Sequence, residues 1–135
     1  MKASSIAVAL LLFALAGCVS DVDARDVGGR WAALVGTTYW EVFLHDLDEG
    51  ETERDIDWTA SGRSGGGYAT VLDNLDVTAT VYWCQFFCPS GSGGGLTLLG
   101  RFTGDKIDGT FTGHMGADGV VFGPYDRLPV TFQRP

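Results

Sequence analysis

The groups in this chain with the means to do chemistry are few: three cysteines (Cys18, Cys84, Cys88), two histidines (His45, His114) and one dense run of carboxylates. Cys84-x-x-x-Cys88 as a zinc site needs two more ligands, and no histidine lies near it in sequence. Acyl transfer needs a nucleophile, a histidine and a carboxylate to converge, and no strand–elbow–helix text is present to carry the nucleophile. Both histidines fall at strand ends on faces expected to be wet. The acidic run is Asp46, Asp48, Glu49, Glu51, Glu53, Asp55 and Asp57, relieved by Arg54. Asp46-x-Asp48-x-Gly50 has the opening spacing of a calcium loop, but Asp57 stands where such a loop needs a bidentate glutamate. A solvated hairpin tip is the simpler reading. The glycines follow strands, with no helix to receive an anion. The expectation is a protein that is not an enzyme and holds no metal or cofactor.

Cys18 differs from the other two by what precedes it. Lys2 gives a positive start, Ile6–Ala14 is an apolar run, and small residues lead into the cysteine. That is the layout of an export signal, too short for a permanent membrane span. Leu15-Ala16-Gly17-Cys18 resembles the lipobox of bacterial lipoproteins. The resemblance implies diacylglyceryl transfer to the Cys18 thiol, cleavage before it and acylation of the new amine. Residues 1–17 would then be a signal peptide, 18–27 a lipidated tether and 28–135 the folded domain. Several acyl chains anchor firmly, since each buried CH₂ adds about 0.8 kcal/mol. Val19 and Ser20 follow, with no aspartate, which by the sorting rule of that class implies the outer membrane, facing the periplasm. With Cys18 taken by lipid, Cys84 and Cys88 remain as a pair. In an oxidising compartment a disulfide is preferred to a metal site or free thiols, closing a small ring worth about 2 kcal/mol.

Composition narrows the partners. Seventeen Asp and Glu stand against nine Lys and Arg, a net charge of −8. That argues against nucleic acid and against an electrostatic grip on anionic lipid. The membrane would be held through the lipid alone, and no protein partner is indicated.

From Gly28 onward the chain alternates with period two. Trp31, Ala33 and Val35 share one face; so do Trp40, Val42 and Leu44, then Ile56, Trp58 and Ala60. Gly67–Leu72, Asp76–Trp83, Gly95–Gly104, Lys106–His114 and Leu128–Arg134 continue the rhythm, with threonines on the outward face. Asp48-Glu49-Gly50, Asp73-Asn74 and Gly104-Asp105 read as turns. Ser61–Gly66 and Ser90–Gly95 read as longer flexible loops, and Gly116–Arg127 has no clear pattern. The sum predicts an all-β fold, an antiparallel up-and-down barrel of about eight strands, closed to remove exposed edges.

Gly29-Arg30-Trp31 opens the first strand, and Arg134 closes the last. This resembles the calycin pattern shared by lipocalins and avidins, in which a basic residue of the final strand lies across the first tryptophan. The resemblance implies a structural Trp31–Arg134 cation–π contact. No avidin-type ligand residue can be placed, so biotin binding is not implied.

In such a barrel the loops after strands one, three, five and seven share the end away from both termini. The tight turns are expected at the tethered end and the long glycine-rich loops at the far mouth. Trp83, Phe86, Phe87, Phe122 and Tyr125 would cluster at that mouth, as candidate ligand-binding residues or, preferably, as a plug. Four tryptophans compete for the interior, so a filled barrel is expected over a hollow one. Two functions follow. The leading one is a lipid-anchored envelope barrel binding an apolar small molecule or acyl chain, or a relic of such a binder. The alternative is a structural or protein-interaction module with a solid core. A connected apolar cavity of a few hundred Å³ separates them.

Overall fold

The computed structural model describes residues 22–135. The segment read as a signal peptide, Cys18 as the expected lipidation site and the start of the segment read as a tether lie outside the described residues. Eight strands follow one another around a closed barrel: β1 (Gly29–Val35), β2 (Thr38–Leu44), β3 (Glu53–Ala60), β4 (Arg63–Val71), β5 (Asp76–Tyr82), β6 (Gly93–Phe102), β7 (Lys106–Ala117) and β8 (Val120–Gln133). Every neighbouring pair is antiparallel, so the up-and-down order read from the sequence is the observed one. The barrel closes where β8 meets β1, through the single register pair Ala32–Gln133.

Alternation sets inside from outside. β3 is the clearest case: Arg54, Ile56, Trp58 and Ala60 are buried, and Glu53, Asp55, Asp57 and Thr59 are exposed. Apolar residues line the interior, Arg54 excepted, unlike the polar lumen of a membrane-spanning barrel, and the outer wall mixes polar residues with exposed Leu34, Tyr39, Phe43 and Leu99. The buried core runs from Val27 to Phe132, so residues 22–135 carry their own core and every strand pairing. A short 3₁₀ helix, η1 (Ala24–Val27), is capped by Asp23 and puts Val27 into that core. The segment read as tether therefore contributes its last residues to the fold.

Three expectations are corrected. Ser61–Gly66 is not a loop: Ser61 and Gly62 make a tight turn, and β4 begins at Arg63. Glycine is required there by close approach. A Cβ on Gly65 would stand 2.8 Å from the Trp58 indole and 2.6 Å from the Tyr82 carbonyl oxygen. Ser90–Gly95 shortens likewise, because β6 starts at Gly93. The tight turns are not confined to the end with the termini either. Three of the far-end connections (36–37, 61–62 and 118–119) are two-residue turns, whereas the end with the termini carries the long connection 45–52.

Gly116–Arg127, unassigned from sequence, is the tip of the β7–β8 hairpin. Its pairing slips twice, between Phe111 and Gly113 and between Gly113 and Met115. Such irregularities bend a ladder, and Gly113 takes φ +126°, which a side chain would oppose. The bent tip spans the barrel end. Arg63 Nε donates to the Ala117 carbonyl at 3.1 Å and Nη2 to that of Asp118 at 3.0 Å. On the other side the Asp118 amide donates to Ser92 Oγ at 3.0 Å.

Candidate functional site

The far end is an aromatic plug. Trp40 and Trp58 stack with ring centroids 5.1 Å apart, and Phe122 meets them edge-on at 5.1 and 5.8 Å. Met115 and Ala117, from the bent hairpin, are fully buried over the same cluster. Trp58 Nε1 donates to the carbonyls of Gly66 (3.1 Å) and Tyr82 (3.0 Å), made reachable by the bare glycines of β4.

Phe122 is thus a core residue, only 2 % exposed, and not part of a mouth. It was misplaced because the bulge hides its alternation. Trp83 and Tyr125 are half-buried against the core. Phe86 and Phe87 point the other way, 74 % and 104 % exposed. The five candidate aromatics therefore do not converge on one site: three turn inward and two outward. Cys84 and Cys88 form a disulfide that closes a small ring around the two outward phenylalanines.

The end bearing both termini is closed by cations over carbonyls. The Arg134 guanidinium lies 3.8 Å from the Trp31 ring centroid, as the calycin pattern implies. Its Nη1 donates to the Gly28 carbonyl at 2.7 Å and its Nη2 to that of Asp26 at 2.6 Å, which staples the β8–β1 seam. Trp31 Nε1 donates to the Val27 carbonyl at 2.7 Å, and Phe102 meets the indole edge-on at 5.8 Å.

Arg54 completes this closure and was missed from sequence, although it shares parity with Ile56, Trp58 and Ala60. It is 3 % exposed. Its Nη1 donates to the His45 carbonyl at 3.0 Å and its Nη2 to that of Ala24 at 3.3 Å, joining β2's exit to η1. Burial lowers the affinity of both guanidiniums for their protons; the carboxylates of Asp46 beside Arg54 and Asp26 beside Arg134 act the other way.

The interior between these closures is nearly full. One void of about 30 Å³ remains, with walls that include Trp31, Ala69, Ala79, Leu98, Phe111 and Phe132. That is the share of a single water, and the lining is apolar. A larger concavity, about 870 Å³, is a shallow groove on the outer wall along the β1–β8 seam, floored by residues such as Leu34, Tyr39 and Thr131.

The remaining reactive groups are dispersed. His45 Nε2 lies 2.7 Å from Asp57 Oδ2 on the outer wall, both side chains largely in solvent. His114 is exposed on β7. Among the described residues no three His, Cys, Asp or Glu gather closely enough to hold a metal ion, and no helix is long and apolar enough to cross a membrane. Compared with protein-family models, with curated proteins and with solved structures, the chain shows no match.

Proposed function

We propose that this chain is a lipid-anchored module of the bacterial cell envelope, built on a solid, calycin-like barrel that serves structural or protein-interaction roles. The observation that carries the solid-barrel reading is the interior void of about 30 Å³. A ligand pocket needs roughly 300 Å³ or more. An acyl chain would have to displace the side chains that close one end or the other, Trp40, Trp58 and Phe122 or Trp31 and Arg54. The calycin-like reading is supported by the Trp31–Arg134 contact at 3.8 Å. The anchor reading rests on Leu15-Ala16-Gly17-Cys18, and the absence of aspartate after Cys18 directs the module to the outer membrane, facing the periplasm.

The acyl-chain-binding alternative has one feature in its favour, the apolar lining of the void. Native mass spectrometry of the detergent-extracted protein tests the two together. The expected mass is that of the chain from Cys18 with its acyl groups and nothing more. A stoichiometric lipid or small molecule beyond the anchor overturns the solid-barrel reading. Loss of radiolabelled palmitate incorporation in Cys18→Ala tests the anchor independently.

A further inference from the structure

From Val77 to Gly100 the chain contains no Asp, Glu, Lys or Arg, in a protein where such residues make up 19 % of the sequence. This stretch is β5 after Asp76, the Cys84–Cys88 ring and most of β6, a hairpin that ends at the pole opposite both termini. At its tip stand Phe86 and Phe87, almost wholly in solvent. Large apolar groups are not left so exposed by packing need; the plug behind them is complete without them.

The two poles differ in charge density. The four far-end connections hold one charged residue, Asp118. The three connections at the other pole hold Asp46, Asp48, Glu49, Glu51, Asp73 and Asp105. A surface that receives the far pole has no ionised group of the hairpin to dehydrate and no attraction of charge to offer it. The ring is also convex, with no cation, carboxylate or imidazole for a protein pocket to recognise. Its residues are graded by depth. Phe86 and Phe87 lead, with exposed Gln85 beside them; half-buried Trp83, packed on the core, and Tyr82 stand one step behind, and the threonines of β5 follow. Apolar tip, amphipathic aromatics, then hydroxyls is the order of a lipid interface from acyl chains outward to headgroups.

We propose that the disulfide-closed Cys84–Cys88 ring is a membrane-insertion tip that places Phe86 and Phe87 in the interfacial region of an uncharged lipid surface. The ring holds both side chains outward before contact, so little loop ordering remains to oppose insertion. Two phenylalanines give weak, reversible binding of the kind a single acyl chain gives. A chain also held through Cys18 would touch lipid at both poles.

The proposal goes beyond the solid-barrel reading and does not need it. The test is flotation of oxidised residues 22–135 with vesicles of phosphatidylcholine alone, then with part of it replaced by anionic phosphatidylglycerol. This segment lacks the leader and Cys18, so neither can bind in place of the tip. The expected result is flotation with the neutral vesicles, insensitive to added salt and not enhanced by the anionic lipid. Phe86→Ser and Phe87→Ser should each weaken partitioning about tenfold or more. Phe86→Trp should restore it and be quenched by brominated lipid. No flotation of the parent segment overturns the proposal, as would equal flotation of the double serine variant or a requirement for anionic lipid. Lipid retained inside the barrel after the vesicles are removed would instead contradict the solid barrel.

Discussion

At the far end of the barrel rings fill the opening, Trp40, Trp58 and Phe122, beneath a bent hairpin whose tip Arg63 holds from the rim, with the Trp58 indole N–H joining β4 and β5. At the end with the termini the closing groups are guanidiniums: Arg54 and Arg134 reach the carbonyls of η1, of Gly28 and of His45. Both ends face the same problem, the open rim of a small barrel. The difference follows from what each rim exposes. The far end has short turns and a hairpin long enough to fold over, so apolar side chains can be covered. The terminal end must receive a polar chain entry, whose unpaired carbonyls call for donors. Rings close by volume and are felt as a cavity when removed. Arginines close by hydrogen bonds and are felt as orphaned acceptors. The two ends should therefore fail differently.

The largest effect is expected at the far end. Trp58→Ala removes a ring that touches both Trp40 and Phe122 and leaves the Gly66 and Tyr82 carbonyls without their donor. Loss of about 3–5 kcal/mol is expected in guanidinium unfolding, with a new internal cavity. Such a variant is also where the solid core would become a hollow one, so it should take up a small apolar probe that the parent refuses.

Next comes Arg54→Met, of similar length and without charge. The His45 and Ala24 carbonyls lose their donor, but both lie near the rim where water can replace it. A loss of about 2–3 kcal/mol is expected. Amide hydrogen exchange should speed up in Ala24–Val27 and at the start of β3 and leave the β7–β8 tip unchanged. Equal loosening of both ends would mean that the two closures are not separate devices. Arg134→Ala is expected to be milder, about 1–2 kcal/mol, because its side chain is largely solvated. Its effect should concentrate at the Ala32–Gln133 seam.

How these ends could be anticipated from sequence also differs. The barrel and its strand order were legible because period-two alternation survives without tertiary information; the Trp31–Arg134 contact was legible only through the resemblance of Gly29-Arg30-Trp31 and Arg134 to the calycin pattern. Arg54 was legible too: its parity with Ile56, Trp58 and Ala60 places it inside, but its charge and acidic neighbours suggested a solvated hairpin. Phe122 was not. The register slips around Gly113 put it on the inner face only after the β7–β8 ladder has bent, and Gly123-Pro124 reads as a loop. The glycines of Ser61–Gly66 carried the opposite false signal. They read as a flexible loop, whereas Gly65 is bare so that the Trp58 indole can lie against its backbone, a demand set by a residue on another strand.

The smallest effect on stability is expected at Phe86 and Phe87, and it sharpens the comparison within one end. Phe122 and these two rings were expected to act together at a mouth, yet Phe122 is buried and they are not. A side chain that is as exposed in the native state as in the unfolded chain contributes little to the difference between them. The double variant Phe86→Ser/Phe87→Ser should therefore unfold within about 0.5 kcal/mol of the parent. Phe122→Ala should cost about 3 kcal/mol or more. Thermal and denaturant unfolding of the two variants, run beside the parent, check this. A clearly destabilised serine variant would show that the ring folds back onto the plug in solution, and the phenylalanines would then belong to the core. An unchanged midpoint leaves them with no role in holding the barrel together, and the reason for their exposure must then be sought in what the tip touches.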